Sequence, residues 1–432
     1  EINNLFIKEV VYSVMKISIF FSALLAALKL GFTSAYDNGV AATPPMGWST
    51  WCTNDLCGIP DRCSEYEVRN KADAMVAQGM VQLGYKWILL DDCWSDQDRD
   101  ENGELQPSPK LFPSGMKALT DYLHERGMYL GLYSCIGTET CKKNRPGSYG
   151  HYETDANTFA KWGADMVKAD YCNKPSNETG QDLYTQFSAA LNATGRPMLF
   201  AMCQWGVDEV YNWAPGIAQM YRIQMDHIPF WNWPPTAQGE GYGAGTKNII
   251  DFMADLHPSK YNGPHAWMDP DFLETMFEPY TMNFTNSRTE FSFWSMWSSP
   301  LLMATDPANL SEEKRSIVMN PEVIAINQDL LFVSGERIRN DNTTTGGEVW
   351  SRPLQNGDIA VILYNSGNND GVSVSVAWTE LGWAADDSVL IRDLWAQKDI
   401  GTQTQGVESV LAAHDVSMLR LTRKDSSSMA KN

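Results

Sequence analysis

The sequence predicts an α/β protein, a (β/α)8 barrel followed by a C-terminal antiparallel β domain of sandwich type. Three observations carry this reading. A helical segment that stops at a glycine and feeds an apolar strand recurs four times: Gly84 into Tyr85–Asp92, Gly127 into Met128–Ser134, Gly163 into Ala164–Asp170 and Gly195 into Pro197–Cys203. Glycine C-caps at this spacing mark βα units, and near-continuous apolar strands mean a parallel sheet covered on both faces. Segments near Met46–Trp51, Met220–Asp226, His265–Asp269 and Trp297–Thr305 raise the strand count to eight, the number that closes such a barrel. Past Asp329 the texture changes to short alternating stretches, Val349–Arg352, Asp358–Tyr364, Val372–Val376, Val389–Leu394 and Val416–Leu421, parted by turn signals such as Asn356-Gly357. An open doubly wound sheet is the alternative, but it wants an early glycine-rich phosphate loop, and the chain has none.

Taken in order, residues 1–35 are expected to hold upstream sequence and a secretory signal. Met15-Lys16 supplies a basic start, Ile17–Leu28 an apolar run, and Thr33-Ser34-Ala35 small residues for cleavage. Residues 1–14 precede that start and are set aside from fold reasoning. The run contains Lys29 and is short for a span, so no stable membrane association is expected. The destination is outside the cell or an acidic vacuole or lysosome. Residues 36–329 are assigned to the barrel, 330–423 to the β domain and 424–432 to a disordered tail. Ser64-x-x-Glu67 has capping-box form and opens a helix through Val68, Ala72, Met75 and Met80 that Gly84 stops. Eight cysteines and sequons at Asn177, Asn192, Asn283, Asn309 and Asn342 fit an oxidising, secretory route. The net charge of −20 over 432 residues excludes a nucleic-acid footprint.

Barrel chemistry sits at the C-terminal strand ends. Read in order, those ends offer Trp48, Asp91 and Asp92, Tyr133, Lys168 and Asp170, Gln204 and Trp205, Arg222 and Asp226, and Asp269. Positions i and i+2 of a strand share a face, so Lys168 and Asp170 look into one pocket, where an ammonium favours an ionised carboxylate. Carboxylates with aromatics and no phosphate-binding element suit a neutral polyhydroxylated ligand. Glycoside cleavage needs two carboxyl groups, and Asp170 with Asp226 on another strand supplies them. His227 and His265 lie near strand ends without ligand spacing, and the cysteine spacings are irregular, so no metal and no cofactor are implied.

Pro45-Met-Gly-Trp48, Asp91-Asp-Cys-Trp94, Lys168-x-Asp170-Tyr-Cys172, Arg222-x-x-x-Asp226, Trp267-x-Asp-Pro-Asp271 and Val323–Asp329 occur in register. Together they strongly resemble glycoside hydrolase family 27, the α-galactosidases and α-N-acetylgalactosaminidases, from about Asn38 to Asp329. The resemblance implies a retaining mechanism with Asp170 as nucleophile and Asp226 as acid and base. Their carboxyls would then lie roughly 5–5.5 Å apart or somewhat more. It further implies that Asp91, Asp92 and Lys168 hold the far-side hydroxyls of galactose, that Arg222 and Asp226 lie near the 2-hydroxyl, and that Trp48 forms an apolar wall. Asp269 would orient Arg222, and Tyr133 would line the pocket. The family's disulfides imply Cys141–Cys172 at the pocket edge, Cys52–Cys93 and Cys57–Cys63; Cys135 and Cys203 are left as buried thiols or a further bridge. Cys203-Gln-Trp-Gly206 resembles the microbial α-galactosidase form, and its bulk at Gln204 and Trp205 would exclude an N-acetyl group. The paired Asp91-Asp92 argues against the family's β-L-arabinopyranosidases. The implied partner is an α-galactoside, small or polymeric, and a homo-oligomer is compatible with the sequence. A galactose-binding protein without catalysis is the competing class, and the presence of both Asp170 and Asp226 argues against it.

Overall fold

The computed structural model describes residues 35–51, 63–92, 94–234, 243–277, 282–341 and 346–424. The expected signal segment, the C-terminal tail, Cys52, Cys57, Cys93 and the Asn342 sequon lie outside them.

Eight parallel strands form one sheet: β1 (Met46–Ser49), β2 (Trp87–Leu90), β3 (Tyr129–Cys135), β4 (Met166–Asp170), β5 (Leu199–Cys203), β6 (Met220–Arg222), β7 (Trp267–Asp269) and β8 (Leu301–Met303). Their order runs β7-β6-β5-β4-β3-β2-β1-β8. The remaining seam is stitched just past β7, where the Leu273 N–H donates to the Leu302 carbonyl at 2.8 Å and Leu273 bridges Met303 in parallel. The sheet therefore closes into the expected barrel. The last four strand segments are shorter than the sequence suggests: Trp297 belongs to a helix, and Asp226 lies four residues past β6.

Helices α1 (Glu65–Ala77), α2 (Gly115–His124), α3 (Tyr152–Trp162), α4 (Gly180–Ala193), α5 (Thr246–Leu256) and α6 (Phe284–Trp297) alternate with the strands, and α7 (Glu312–Val318) and α8 (Pro321–Asn327) finish the barrel. Ser64 caps α1 by accepting from the Glu67 N–H at 3.3 Å. The helix stops at Ala77, earlier than expected, and a run of turns carries the chain to Gly84. Gly163 ends α3 in the left-handed conformation with φ 77°, where a Cβ would be strained.

Strand alternation divides the core in two. Leu89, Met166, Leu199, Ala201, Met220 and Leu302 fill the barrel interior, while Ile88, Leu90, Val167 and Phe200 pack outward with the helices. The interior layer is the floor of the site.

The C-terminal part is the expected antiparallel domain. It comprises β9 (Glu336–Asn340), β10 (Gly347–Pro353), β11 (Ile359–Asn365), β12 (Val372–Ala377), β13 (Val389–Asp393), β14 (Lys398–Gln403), β15 (Gly406–Leu411) and β16 (Val416–Arg423). A six-stranded sheet ordered β14-β13-β16-β11-β10-β9 faces the pair β12-β15. Val349, Val361, Val374, Val376 and Trp378 lie in the core between them. Helix α6 joins this domain to the barrel. Phe293 sets its ring 5.1 Å from both Trp350 and Tyr364, and the buried Arg352 donates to the Ser295 and Met296 carbonyls of the last helical turn. A cation there satisfies carbonyls that the helix itself leaves open.

Candidate active site

A cavity of about 380 Å³ opens at the C-terminal mouth of the barrel. Lys168 and Asp170 both line it, as the i, i+2 spacing on β4 requires. Lys168 does not pair with Asp170, however. Its Nζ is 2.7 Å from Asp91 Oδ2, from the end of β2, and lies 4.8 Å from the Phe272 ring centroid. Burial opposes the Lys168 charge, but Asp91, with Asp170 and Asp271 adding to it, outweighs burial and keeps the ammonium protonated. Asp91 in turn fixes its neighbour, accepting at Oδ1 from the Asp92 N–H at 2.8 Å. Burial pushes the Asp92 carboxyl up, and Asp91 adds to the push.

Asp170 sits at the last residue of β4 and is held at both oxygens. Oδ1 accepts from the Tyr171 N–H at 2.9 Å and Oδ2 from the Tyr133 hydroxyl at 3.1 Å. Tyr133 is itself buried and its hydroxyl is pushed well above the ordinary tyrosine range, so it stays a donor. Lys168 favours the ionised form of Asp170, as expected, but burial acts the other way and more strongly. Burial pushes the Asp170 carboxyl up to about 7; Lys168 pulls it down and Asp226 pushes it up. With the ammonium engaged by Asp91, desolvation wins.

Asp226 reaches the same cavity from the loop after β6. Its Oδ1 is 3.0 Å from Arg222 Nη2, and the side chain is 37% exposed. Burial pushes this carboxyl up, Arg222 pulls it down, and Asp271 pushes it further up. Arg222 is the hub of this side: Nη2 also lies 3.0 Å from Asp271 Oδ2, and Nη1 donates to Cys203 Sγ at 3.3 Å. Cys141 and Cys172 form the expected disulfide at the rim. Cys63 is disulfide-bonded as well. Cys135 and Cys203 are free, buried thiols, which closes the question that the sequence leaves open.

Three expected residues do not line the cavity. Trp48 pairs in register with Ile88 and Met303, residues of the helix-facing layer, so it points away from the pocket and is fully buried. Trp51 lines the cavity in its place. Asp269 stands behind Asp271, accepting from its N–H at 2.8 Å, and Asp271 makes the contact with Arg222. Gln204 is fully buried, while Cys203 and Trp205 on either side of it reach the cavity. Trp51, Lys142, Cys203, Asp271 and Phe272 are lining residues that sequence reasoning missed. The signal for Asp271 was in hand, since Trp267-x-Asp-Pro-Asp271 contains two acids. Among the described residues, the group with metal-ligand spacing is Cys141, Cys172 and Asp170, and its two sulfurs are spent in the disulfide.

Two carboxyl groups facing one barrel-mouth cavity, flanked by further acids, cations and tryptophans, define a glycoside hydrolase. The chain belongs to the alpha galactosidase A family, glycoside hydrolase family 27: that family's model matches residues 43–329, and the alpha galactosidase C-terminal beta sandwich model matches residues 344–421. An alpha-galactosidase of Oryza sativa is 37% identical over 388 residues, covering 90% of this chain and 87% of its own length. The crystal structure of alpha-galactosidase I from Mortierella vinacea superposes with a TM-score of 0.83 at 32% identity, covering 90% of this chain and 98% of that one. A Saccharomyces cerevisiae alpha-galactosidase with raffinose gives a TM-score of 0.81 at 27% identity, covering 91% and 100%.

Proposed function

We propose that the protein is a retaining exo-α-galactosidase that removes terminal α-D-galactosyl residues through a covalent intermediate on Asp170. The observation that carries the reading is the pairing of Asp170, fixed at both oxygens, with Asp226, held by Arg222 in the same cavity. In the first step a carboxylate oxygen of Asp170 bonds to the anomeric carbon as the bond to the aglycone breaks. Asp226 gives its proton to the departing oxygen. In the second step Asp226 takes a proton from water, whose oxygen bonds to the anomeric carbon as the bond to Asp170 breaks.

This chemistry needs one proton on the pair. Two carboxyls in one buried site resist double ionisation, so the pair titrates in two steps with the working state between them. Tyr133 and the Tyr171 N–H favour the ionised form of Asp170. Asp271 favours the protonated form of Asp226.

Asp91, Asp92 and Lys168 present acceptors and a donor on one wall, suited to sugar hydroxyls, with Trp51 and Phe272 as apolar surface. The interior layer closes the floor, which favours a terminal residue over a threaded chain. Oligosaccharides of the raffinose type are supported as substrates by the Saccharomyces relative. Trp205 occupies the wall beside Cys203 and supports preference for galactose over its N-acetyl analogue. The Cys141–Cys172 bond fits an oxidising compartment, and we place the protein on a secretory route. Among the described residues, no helix is long and apolar enough to cross a membrane.

The test compares hydrolysis of aryl α-galactoside with aryl α-N-acetylgalactosaminide at mildly acidic pH, with NMR of the anomer first released. Galactoside turnover with α-galactose appearing first is expected. First release of the β anomer would overturn retention, and binding of galactose without turnover would overturn catalysis.

A further inference from the structure

We propose that His227 is a positioning residue for the acid–base Asp226, acting through the Asp271–Phe272 segment. The inference rests on the role of Asp226 argued above. His227 follows Asp226 directly, and its side chain is buried behind the cavity wall rather than in it. It holds the β7 loop twice. Its backbone N–H donates to Asp271 Oδ2 at 2.8 Å, and its ring Nδ1 lies 2.9 Å from the Phe272 carbonyl. A carbonyl only accepts, so Nδ1 carries the proton, and Nε2 lies 2.9 Å from the Thr246 hydroxyl, which also reaches Met282 Sδ at 3.3 Å.

The segment so clamped is one that needs clamping. Asp271 adopts φ 85°, a left-handed conformation that a residue with a Cβ holds only when its surroundings impose it. From that conformation it turns its carboxylate to Arg222, 3.0 Å away, and Arg222 holds Asp226 at the same distance. Phe272 leaves the same clamp to face Lys168. One residue, through its backbone N–H and its ring, thereby holds groups on both sides of the pocket.

The surroundings keep that imidazole neutral. Burial is the main cause and Arg222 adds to it; Glu290 Oε1 is 3.6 Å from Nδ1 and the Trp294 ring is 5.4 Å away. Burial pushes Glu290 up to about 8, so it is uncharged at acidic pH and does not draw a proton onto the ring. Nδ1 carries a proton in either charge state, so the bond to Phe272 persists, and only the direction of the Thr246 contact depends on the charge of the ring.

His227→Ala removes the donor to Phe272 while leaving the backbone N–H in place. As Asp271 relaxes away, Asp226 loses a negative neighbour that adds to burial in raising its carboxyl, and Arg222 is left to pair with Asp226 alone, so the basic limb of the kcat/KM profile should move to lower pH. kcat should fall by about tenfold or more with a smaller change in KM. His227→Asn, whose amide can donate near the position of Nδ1, should restore most of both. Should the alanine variant fail to fold, Thr246→Val loosens the ring from its other side and should move the limb in the same direction by less. A limb that stays in place in His227→Ala or Thr246→Val, with only thermal stability reduced, overturns the proposal. If Asp226→Asn leaves the limb where it is, the role of Asp226 falls and the proposal falls with it.

Discussion

Replacing Asp170 with Asn separates catalysis from folding in a single variant. The amide keeps the size of the side chain and an acceptor for the Tyr171 N–H, so the strand end should not rearrange. Catalytically, the nucleophile is gone, and turnover of aryl α-galactoside should drop by at least about a thousand-fold, roughly 4 kcal/mol of transition-state stabilisation. The folding effect follows from burial, which raises the Asp170 carboxyl from 3.8 to about 7. A carboxyl raised on folding stabilises the native state below its unfolded value and loses that contribution as pH rises through the folded one. At about 1.4 kcal/mol for each tenfold change in proton affinity, ionised Asp170 costs the fold up to about 4 kcal/mol above pH 7. The asparagine variant should therefore unfold at the same temperature as the parent at pH 4 and at a higher one at pH 7.5. Calorimetry at the two pH values, alongside the rate assay, reads both effects. Equal shifts at both pH values would refute the burial argument, and turnover within a hundredfold of the parent would refute the nucleophile.

Arg222 neutralises Asp226 and Asp271 together from a buried position, so Arg222→Ala should cost about 3–5 kcal/mol in chemical denaturation by stranding two carboxylates. Arg222→Lys should recover little, because one ammonium cannot reproduce the forked contacts. Trp205→Gly should raise turnover of aryl α-N-acetylgalactosaminide relative to galactoside; no change in that ratio would remove Trp205 from specificity. Reducing Cys141–Cys172, which spans 31 residues, should lower stability by about 3–4 kcal/mol and weaken galactose binding at the rim, measured by calorimetric titration with and without reductant.

The fold was legible where burial writes itself into residue type. Tyr85–Leu90, Met128–Ser134, Ala164–Asp170 and Pro197–Cys203 are covered on both sides, so their strands are almost wholly apolar and the glycine caps bracket them. The β domain was legible only in its core strands. β14, Lys398–Gln403, exposes every residue, and β9, Glu336–Asn340, alternates exposed with half-buried positions and carries two arginines. Neither has an apolar face that could betray its period, because their place at the two edges of the sheet asks for none. β15, Gly406–Leu411, buries only Val407 and Leu411, too sparse a pattern to separate from a loop.

The site was legible in its acids and less so in its walls, for a reason that lies in the two-residue period of a strand. The cavity receives Lys168 and Asp170 from β4, Cys203 from β5 and Arg222 from β6, all continuing the parity of Met166, Leu199, Ala201 and Met220 in the barrel interior. Trp48 has the opposite parity, in register with Ile88 and Met303, so no aromatic at that position can reach substrate. Beyond a strand's last residue parity lapses, and turns decide direction. Trp205 reaches the wall with φ 61° and Asp271 with φ 85°, conformations that a sequence does not announce for residues other than glycine. The neighbours these turns displace, Gln204 and Asp269, remain buried behind the surface. The catalytic carboxylates straddle this divide. Asp170 is placed by strand geometry, which residue spacing encodes, whereas Asp226 is placed by Arg222 and the segment that holds it, which only tertiary structure can encode.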